Sequence, residues 1–307
     1  MNLSPRTNAA LPNLLIVGVP KAGTGSLFAY LKQHPDICGA AEKEIGYFTP
    51  LRLDGGALPP VSEYVRFFSQ CGEQRYRMEA TPSYCFGGRA VRRAISEVLQ
   101  RPRCVIILRE PVDRLWSAYT FQRSLGHLAV SSFEEYVSKC AEQHRTNDRI
   151  VPGTHLNGLS IGFYEDYVPA WLDEFGSGVH VLFFDQLASD PRAVVAETCR
   201  WLAIDDAHVG SIDLSVRNRT VHPRSVATAR VVSRLKSRAG DTLEWSPLLR
   251  TALRNMYFRL NRSPRLREGL DPNTRERLEA GYAASNAVVA EALRRHGYSD
   301  LPTWLTG

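Results

Sequence analysis

Residues 18–27, GVPKAGTGSL, combine the residue types that bind a phosphate group. Two glycines, Gly23 and Gly25, let the backbone approach an anion and leave several N–H groups pointing at it. The helix that follows adds positive potential at its N-terminus. Lys21 supplies a mobile positive charge, and a threonine and a serine supply hydroxyl donors. This segment therefore predicts a loop that holds a phosphate.

The order of residues in this loop differs from that of a nucleoside triphosphatase. The Walker pattern G-x-x-x-x-G-K-S/T places a Lys after the last glycine, followed by a hydroxyl that holds magnesium. Here Lys21 precedes both glycines, and the segment contains no Gly-Lys-Ser/Thr. This order argues against a nucleotide kinase or another P-loop-type NTPase. Such an enzyme stays the alternative, and it predicts metal-dependent turnover of ATP.

Residues 20–27, PKAGTGSL, resemble the 5′-phosphosulfate loop of sulfotransferases that use PAPS (3′-phosphoadenosine 5′-phosphosulfate). The usual form in that family is P-K-S/T-G-S/T-S/T-x-L, so Ala22 and Gly25 each remove one hydroxyl. The resemblance runs from Asn13 to Leu305 and is weak between Arg217 and Leu270. It is closest in motif to heparan sulfate N-/O-sulfotransferases and to bacterial sulfotransferases. It implies a P-loop-like sulfotransferase fold, PAPS as the cosubstrate and PAP as the product.

A donor with a 3′-phosphate needs a second anion site. Arg109 directly follows the apolar run CVIIL, and Ser117 lies two helical turns further on. A guanidinium can hold a phosphate through two hydrogen bonds, and the hydroxyl adds a donor. The segment ILREPVDRLWSAY resembles the matching segment of sulfotransferases, and we expect Arg114 to be structural or solvated. The residues predicted to contact the nucleotide are Lys21, Ala22, Gly23, Thr24, Gly25, Ser26, Leu27, Arg109 and Ser117.

Sulfuryl transfer also requires that the acceptor lose a proton, which calls for a carboxylate or His near the transferred group. Glu44, in EKEIGYF, resembles the Glu of K-E-x-x-F/Y-F in glycosaminoglycan sulfotransferases, which acts there as the base. We therefore predict Glu44 as the catalytic base. Lys21 is the second predicted catalytic residue, because negative charge grows on the departing phosphate oxygen. Nothing in this scheme needs a metal.

Two departures separate the chain from heparan sulfate O-sulfotransferases. Those enzymes often have His where this chain has Gly46, and Lys where it has Ala80. We therefore expect an acceptor site that is not built for a heparan chain. Glu79 and Tyr84, in MEATPSY, fit either a place in the cleft or a core or loop-closing role.

These residues need strands and helices to position them, and the chain alternates the two. Unbroken apolar runs predict buried strands at Asn13–Val19, Arg103–Leu108 and Val179–Phe184. Besides the helices that follow these strands, the periodicity predicts helices at Glu63–Phe68, Arg89–Leu99, Phe133–Cys140, Tyr164–Glu174 and Asn273–His296. In the last helix the predicted core side is Leu278, Tyr282, Val288, Val289 and Leu293. The pattern predicts an α/β fold with a central, largely parallel sheet flanked by helices, in a single domain of residues 1–307. Residues 1–12 are expected to form a flexible N-terminal arm.

The composition, 44% hydrophobic and 23% charged, is that of a globular protein. No apolar run approaches the roughly 20 residues that span a bilayer, and the opening MNLSPRTNAALP lacks the core of a signal peptide. We therefore expect a cytoplasmic protein with no integral membrane segment. The cysteines form no C-x-x-C pair, which indicates mostly buried thiols and neither a zinc site nor a disulfide framework. They are Cys38, Cys71, Cys85, Cys104, Cys140 and Cys199.

Positive charge is concentrated between Arg217 and Glu268, where 13 Lys and Arg face three acids in a chain of net charge +6. This segment suggests an anionic ligand, and its first part, Arg217 to Arg238, is expected to fold over the nucleotide. A solvated helical face is the simpler alternative. A polyanion-binding protein is another, and it predicts salt-dependent DNA binding with Lys21 dispensable.

The sequence as a whole predicts a sulfotransferase that acts on a hydroxyl, with an amine as the second alternative. The expected acceptor is a small molecule, a carbohydrate or a glycolipid, and no nucleic-acid partner is expected. Nothing in the sequence predicts an oligomeric state.

Overall fold

The computed structural model describes residues 10–52, 56–146, 150–151, 153–215, 222–223, 262–263 and 269–307. Nine residues of the predicted N-terminal arm lie outside these ranges. So does the basic segment Arg217–Glu268, apart from the backbone of two short paired strands, His222–Pro223 and Arg262–Ser263.

The chain divides into two compact units. The first unit comprises Met1–Glu110, Phe163–Asn218 and Tyr282–Gly307, and the second comprises Pro111–Gly162 and Arg219–Gly281. The single-domain organisation of residues 1–307 stays a prediction.

The first unit is built on a five-stranded sheet whose neighbours all pair in parallel. The strands are β1 (Leu14–Gly18), β2 (Ile37–Gly39), β3 (Tyr76–Ala80), β4 (Arg103–Leu108) and β5 (Val179–Phe183), in the spatial order β2-β3-β1-β4-β5. All five residues of β1 are buried, as its unbroken apolar run predicts. The parallel α/β architecture is therefore confirmed.

Helices flank this sheet and continue into the second unit. In chain order they are α1 (Thr24–Leu31), α2 (Val61–Val65), α3 (Gly88–Val98), α4 (Pro111–Ser124), α5 (Phe133–His144), α6 (Val168–Phe175), α7 (Phe184–Ser189), α8 (Pro191–Trp201), α9 (Pro272–Arg295) and α10 (Thr303–Thr306). Short 3-10 turns include Thr49–Arg52 and Arg66–Phe68. Among the described residues, no helix is both long enough and apolar enough to span a membrane.

Three helix predictions need correction. The predicted helix Glu63–Phe68 is α-helical only as far as Val65 and ends in the 3-10 turn Arg66–Phe68. The predicted helix at Tyr164 starts later, because residues 164–166 form a 3-10 turn and the α-helix begins at Val168, with Pro169 in its first turn. In α9 Val288 is 48% exposed, so its assignment to the core is wrong. Successive helical residues are rotated by about 100°. That rotation places Val288 outside the face that carries the buried Tyr282 and Val289.

The expectation for the cysteines needs one correction, because the structure contains a disulfide that the sequence did not indicate. Cys38, in β2, is bonded to Cys71, with their Cα atoms 5.7 Å apart. The two segments lie side by side, since the Ala41 N–H donates to the Phe67 carbonyl at 2.9 Å. The disulfide joins cysteines 33 residues apart, so no short cysteine spacing in the sequence indicates it. Four cysteines are buried thiols as predicted: Cys85, Cys104, Cys140 and Cys199.

The core of the second unit contains the side chain of Arg114, of which 1% is exposed. Its guanidinium donates to the carbonyl of Gly158. Nearby, Trp116 of α4 packs edge-on against Phe133 of α5 at 4.9 Å between ring centroids. Arg114 therefore has the structural role that the sequence allowed.

Candidate active site

The predicted phosphate loop connects β1 to α1 at the carboxyl edge of the sheet. Its base is fixed to the neighbouring strand, because the Val19 N–H donates to the carbonyl of Ile107 in β4 at 3.0 Å. Gly23 is the N-cap of α1, and no side chain caps this helix. The first N–H groups of a helix have no intrahelical acceptor. The N-terminus of α1 therefore offers donors and positive potential to an anion.

Gly23 is required by both conformation and packing. Its φ of 87° lies in the left-handed region that favours glycine. A Cβ at this position would lie 2.9 Å from the Leu187 Cδ2 and 3.2 Å from the Phe184 Cδ2. The loop thus packs its backbone directly onto α7.

The remaining loop residues differ in what they can offer a ligand. Ala22 and Leu27 are fully buried in the core, and Thr24 is 5% exposed. Gly25 and Ser26 are half-buried. Ala22 and Leu27 therefore shape the loop from the core side, and any donor that they present is a backbone N–H.

Lys21 is held in an unusual electrostatic setting. Its pKa falls from 10.5 to about 8, first because it is buried and next because the Arg109 guanidinium is close. The Glu44 carboxylate opposes this change. Lys21 also has a φ of 72°, which is uncommon for a residue other than glycine. A bound phosphate beside Lys21 would favour its protonated form.

Arg109 lies at the end of β4 and turns toward the phosphate loop. Its Nη1 donates to the backbone carbonyl of Lys21 at 3.0 Å, and its Cζ lies 4.3 Å from the centroid of the Phe184 ring. The Tyr164 hydroxyl donates to the Arg109 carbonyl at 2.6 Å. Phe184 was not predicted as a site residue. Phe184 directly follows β5, the strand that pairs with β4, and this position at the carboxyl edge of the sheet was the signal in the sequence.

Ser117, the predicted partner of Arg109, lies on α4. That helix belongs to the second unit, whereas Arg109 belongs to the first. The role of Ser117 at the 3′-phosphate therefore stays a prediction.

Glu44 belongs to the first unit and carries an exposed side chain. Its carboxylate pairs with the Lys43 Nζ at 2.7 Å, and 61% of the Glu44 side chain is exposed. Such an exposed pair contributes little to stability. The backbone is better fixed, since the Glu44 N–H donates to the carbonyl of Ala80 at 3.0 Å. The charges of Glu44 and Arg109 both act on the pKa of Lys21, in opposite directions.

Glu79 and Tyr84, for which the sequence allowed two roles, are fully buried in the first unit. The Tyr84 hydroxyl donates to the Glu79 Oε1 at 2.8 Å. Their burial fits the core or loop-closing role and not a place on the cleft surface.

No group of three or more His, Cys, Asp or Glu side chains that could hold a metal occurs within the described part of the chain. The independence of the reaction from metal stays a prediction.

Comparison with known proteins extends these findings. Residues 11–238 match the family model of the sulfotransferase domain. Mouse heparan sulfate glucosamine 3-O-sulfotransferase 3A1 is 29% identical over 183 residues, which cover 59% of this chain and 43% of that protein. The bifunctional heparan sulfate N-deacetylase/N-sulfotransferase of Drosophila melanogaster is 26% identical over 214 residues, or 64% of this chain and 20% of that protein. This chain thus spans less than half the length of these two relatives.

A solved structure agrees on the fold. The sulfotransferase from Alicyclobacillus acidocaldarius aligns with a TM-score of 0.69 and 24% sequence identity. The alignment covers 95% of this chain and 98% of that one.

Proposed function

This chain belongs to the sulfotransferase family, and we propose that it transfers the sulfuryl group of PAPS to a hydroxyl of a small-molecule, carbohydrate or glycolipid acceptor and releases PAP. The observation that carries the proposal is the loop after β1. In this loop Lys21 precedes Gly23 and Gly25 and lies just before the uncapped N-terminus of α1. Its backbone carbonyl accepts a hydrogen bond from Arg109, which follows the neighbouring strand β4.

The loop suits the 5′ end of the nucleotide. Backbone N–H groups of the first turn of α1 and the Lys21 ammonium would bind its 5′-phosphosulfate. Burial and the nearby Arg109 lower the pKa of Lys21 despite the Glu44 carboxylate, so a phosphate beside it adds negative charge that favours its protonated form. Arg109 and Ser117 would bind the 3′-phosphate.

Chemically, PAPS supplies an activated sulfuryl group when it is bound. Its bond from sulfur to the phosphate oxygen breaks as a new bond forms from sulfur to the acceptor oxygen. Glu44 takes the proton of the acceptor hydroxyl, and its exposed side chain can reach a substrate in solvent. Lys21 holds positive charge where the phosphate oxygen departs.

The acceptor is proposed to be less anionic than a heparan chain. The mouse and fly relatives are named for their action on heparan sulfate. Gly46 and Ala80 stand where heparan sulfate O-sulfotransferases often carry His and Lys, so this chain lacks two cationic or titratable groups beside Glu44. A neutral sugar, a glycolipid or a phenol suits such a site better than a polyanion does.

The test is transfer from radiolabelled PAPS to an acceptor panel: unsulfated heparosan, N-sulfated heparosan, galactosylceramide and 4-nitrophenol. We expect label to move to at least one neutral acceptor with release of PAP, and Lys21→Ala to abolish that transfer. Turnover of ATP with magnesium, together with no transfer to any acceptor or to a cell extract, would contradict the proposal.

A further inference from the structure

A buried carboxylate lies behind the predicted base. Glu79 is 0% exposed and sits in β3, directly before Ala80. Three hydroxyls donate to its side chain: Thr81 at 2.7 Å and Tyr84 at 2.8 Å to Oε1, and Tyr64 to Oε2. Burial raises the pKa of Glu79, and hydrogen bonds from the three hydroxyls act in the opposite direction.

Each of these hydroxyl residues also contacts residues 44–48, which we call the Glu44 loop. The Thr81 Oγ1 accepts the Gly46 N–H at 3.2 Å, and the Tyr84 hydroxyl accepts the Phe48 N–H at 3.3 Å. The Tyr64 ring stacks on Tyr47, with 4.2 Å between centroids and an interplanar angle of 1°.

The carboxylate decides which way these hydroxyls point. A hydroxyl has a single proton to donate, and an ionised carboxylate only accepts. Because Thr81 and Tyr84 give their protons to Glu79, their lone pairs are left to accept the N–H groups of the Glu44 loop. An apolar side chain at position 79, as in Glu79→Leu, would leave the hydroxyls of Thr81 and Tyr84 without this acceptor and free to turn away from the loop N–H groups.

The loop needs such restraint because its backbone is unusual. Glu44 and Gly46 have φ values of 64° and 71°, in the left-handed region. Glycine adopts this region readily, but a residue with a Cβ is rarely found there. The N–H bonds at Glu44, Gly46 and Phe48 hold the turn that presents the Glu44 side chain.

We propose that Glu79 is a positioning residue for sulfuryl transfer: it orients Tyr64, Thr81 and Tyr84, which together hold the Glu44 loop and so place the Glu44 carboxylate. Glu79 itself is fully buried and does not touch the substrate. The inference rests on the proposed function, in which Glu44 is the base.

The test compares Thr81→Val, which keeps the shape but removes the hydroxyl, with Thr81→Ser, which keeps the hydroxyl. Rates are measured with PAPS and whichever acceptor of the panel above reacts fastest. We expect kcat to fall on the order of tenfold to hundredfold in Thr81→Val, because a misplaced catalytic group loses rate steeply. The KM for PAPS should stay within about twofold, since Lys21 is not disturbed. Thr81→Ser should recover kcat to within about threefold of the unmodified protein.

Glu79→Leu, which removes both acceptor oxygens, should reproduce the loss of kcat with PAP affinity unchanged. If either buried variant fails to fold, as judged by its melting curve, Tyr84→Phe removes one hydroxyl without changing the ring and replaces it in the comparison. Folded variants that keep the kcat of Thr81→Ser would overturn the inference, as would a KM for PAPS that rises in step with the loss of kcat. Failure of the proposed function is distinguishable, because the unmodified protein would then neither bind PAP nor transfer sulfate.

Discussion

The Arg109 guanidinium donates a hydrogen bond of 3.0 Å to the backbone carbonyl of Lys21. This bond joins the end of β4 to the loop after β1, and these two strands are neighbours in the sheet. Arg109 also lowers the pKa of Lys21. A substitution of Arg109 should therefore alter the position and the pKa of Lys21.

Arg109→Ala should remove the preference for a 3′-phosphate. Charge-assisted hydrogen bonds contribute about 1.5–3 kcal/mol, so PAP affinity should fall on the order of tenfold to hundredfold. The affinity for AMP, which lacks the 3′-phosphate, should fall much less. Titration calorimetry with both nucleotides measures this difference, and Arg93→Ala, on the exposed face of α3, is the matched control. Equal loss of affinity for PAP and AMP would mean that Arg109 acts only through Lys21.

The affinity for PAP should depend on pH through Lys21. Its pKa of about 8 means that it is protonated below that value and loses its charge as pH rises through it. Bound PAP favours the charged form, so affinity should be full near neutral pH and should weaken above about pH 8. Calorimetry between about pH 7 and pH 9.5 measures this fall while the phosphates stay ionised.

The control is Lys21→Arg, because a guanidinium remains protonated throughout this range. This variant should bind PAP with an affinity that changes little with pH. An identical fall in both proteins would assign the pH dependence to another group.

Glu44→Gln should separate chemistry from nucleotide binding. Loss of a general base typically costs on the order of a hundredfold to ten-thousandfold in rate. PAP should still raise the melting temperature, since Glu44 is not predicted to contact the nucleotide. Initial rates of label transfer and thermal melts measure the two effects, with the exposed neighbour Glu42→Gln as control. Full activity in Glu44→Gln would remove Glu44 from the mechanism.

Reducing agent should destabilise the protein through Cys38 and Cys71. The two cysteines are 33 residues apart in sequence. In the chain-entropy account, a disulfide that closes a loop of this size raises the free energy of unfolding by about 2–4 kcal/mol. Urea unfolding with and without dithiothreitol measures the difference, and Cys71→Ser should be insensitive to the reductant. Alkylation of unfolded, unreduced protein should label four cysteines, because the other two are bonded. Six labelled cysteines would show that the bond does not form in the purified protein.

Apolar runs made three of the five strands predictable. β1, β4 and β5 are buried on both faces and lack polar alternation. β2 has three residues, and β3 carries Arg77 and Glu79. β2 is too short to give a periodic signal. β3 alternates apolar and polar residues, YRMEA, which is a strand pattern of its own but differs from the unbroken apolar runs that predicted the other three strands.

The phosphate loop was predictable because its residues are contiguous, so their order alone distinguishes it from a Walker loop. The network around Glu79 was not, since Tyr64 and Glu79 are 15 residues apart and meet only in the fold. The bond between Arg109 and Lys21 spans 88 residues and left no pattern in the sequence. The phosphate loop is thus contiguous in sequence, whereas the residues that support it and the Glu44 loop come from distant parts of the chain.

Titration calorimetry of the unmodified protein with PAP, with AMP and with ATP plus magnesium tests the central claim most directly. We predict that PAP binds without metal, that it binds more tightly than AMP, and that Lys21→Ala abolishes its binding while the protein stays folded. Binding of ATP that requires magnesium, with no affinity for PAP, would contradict the account.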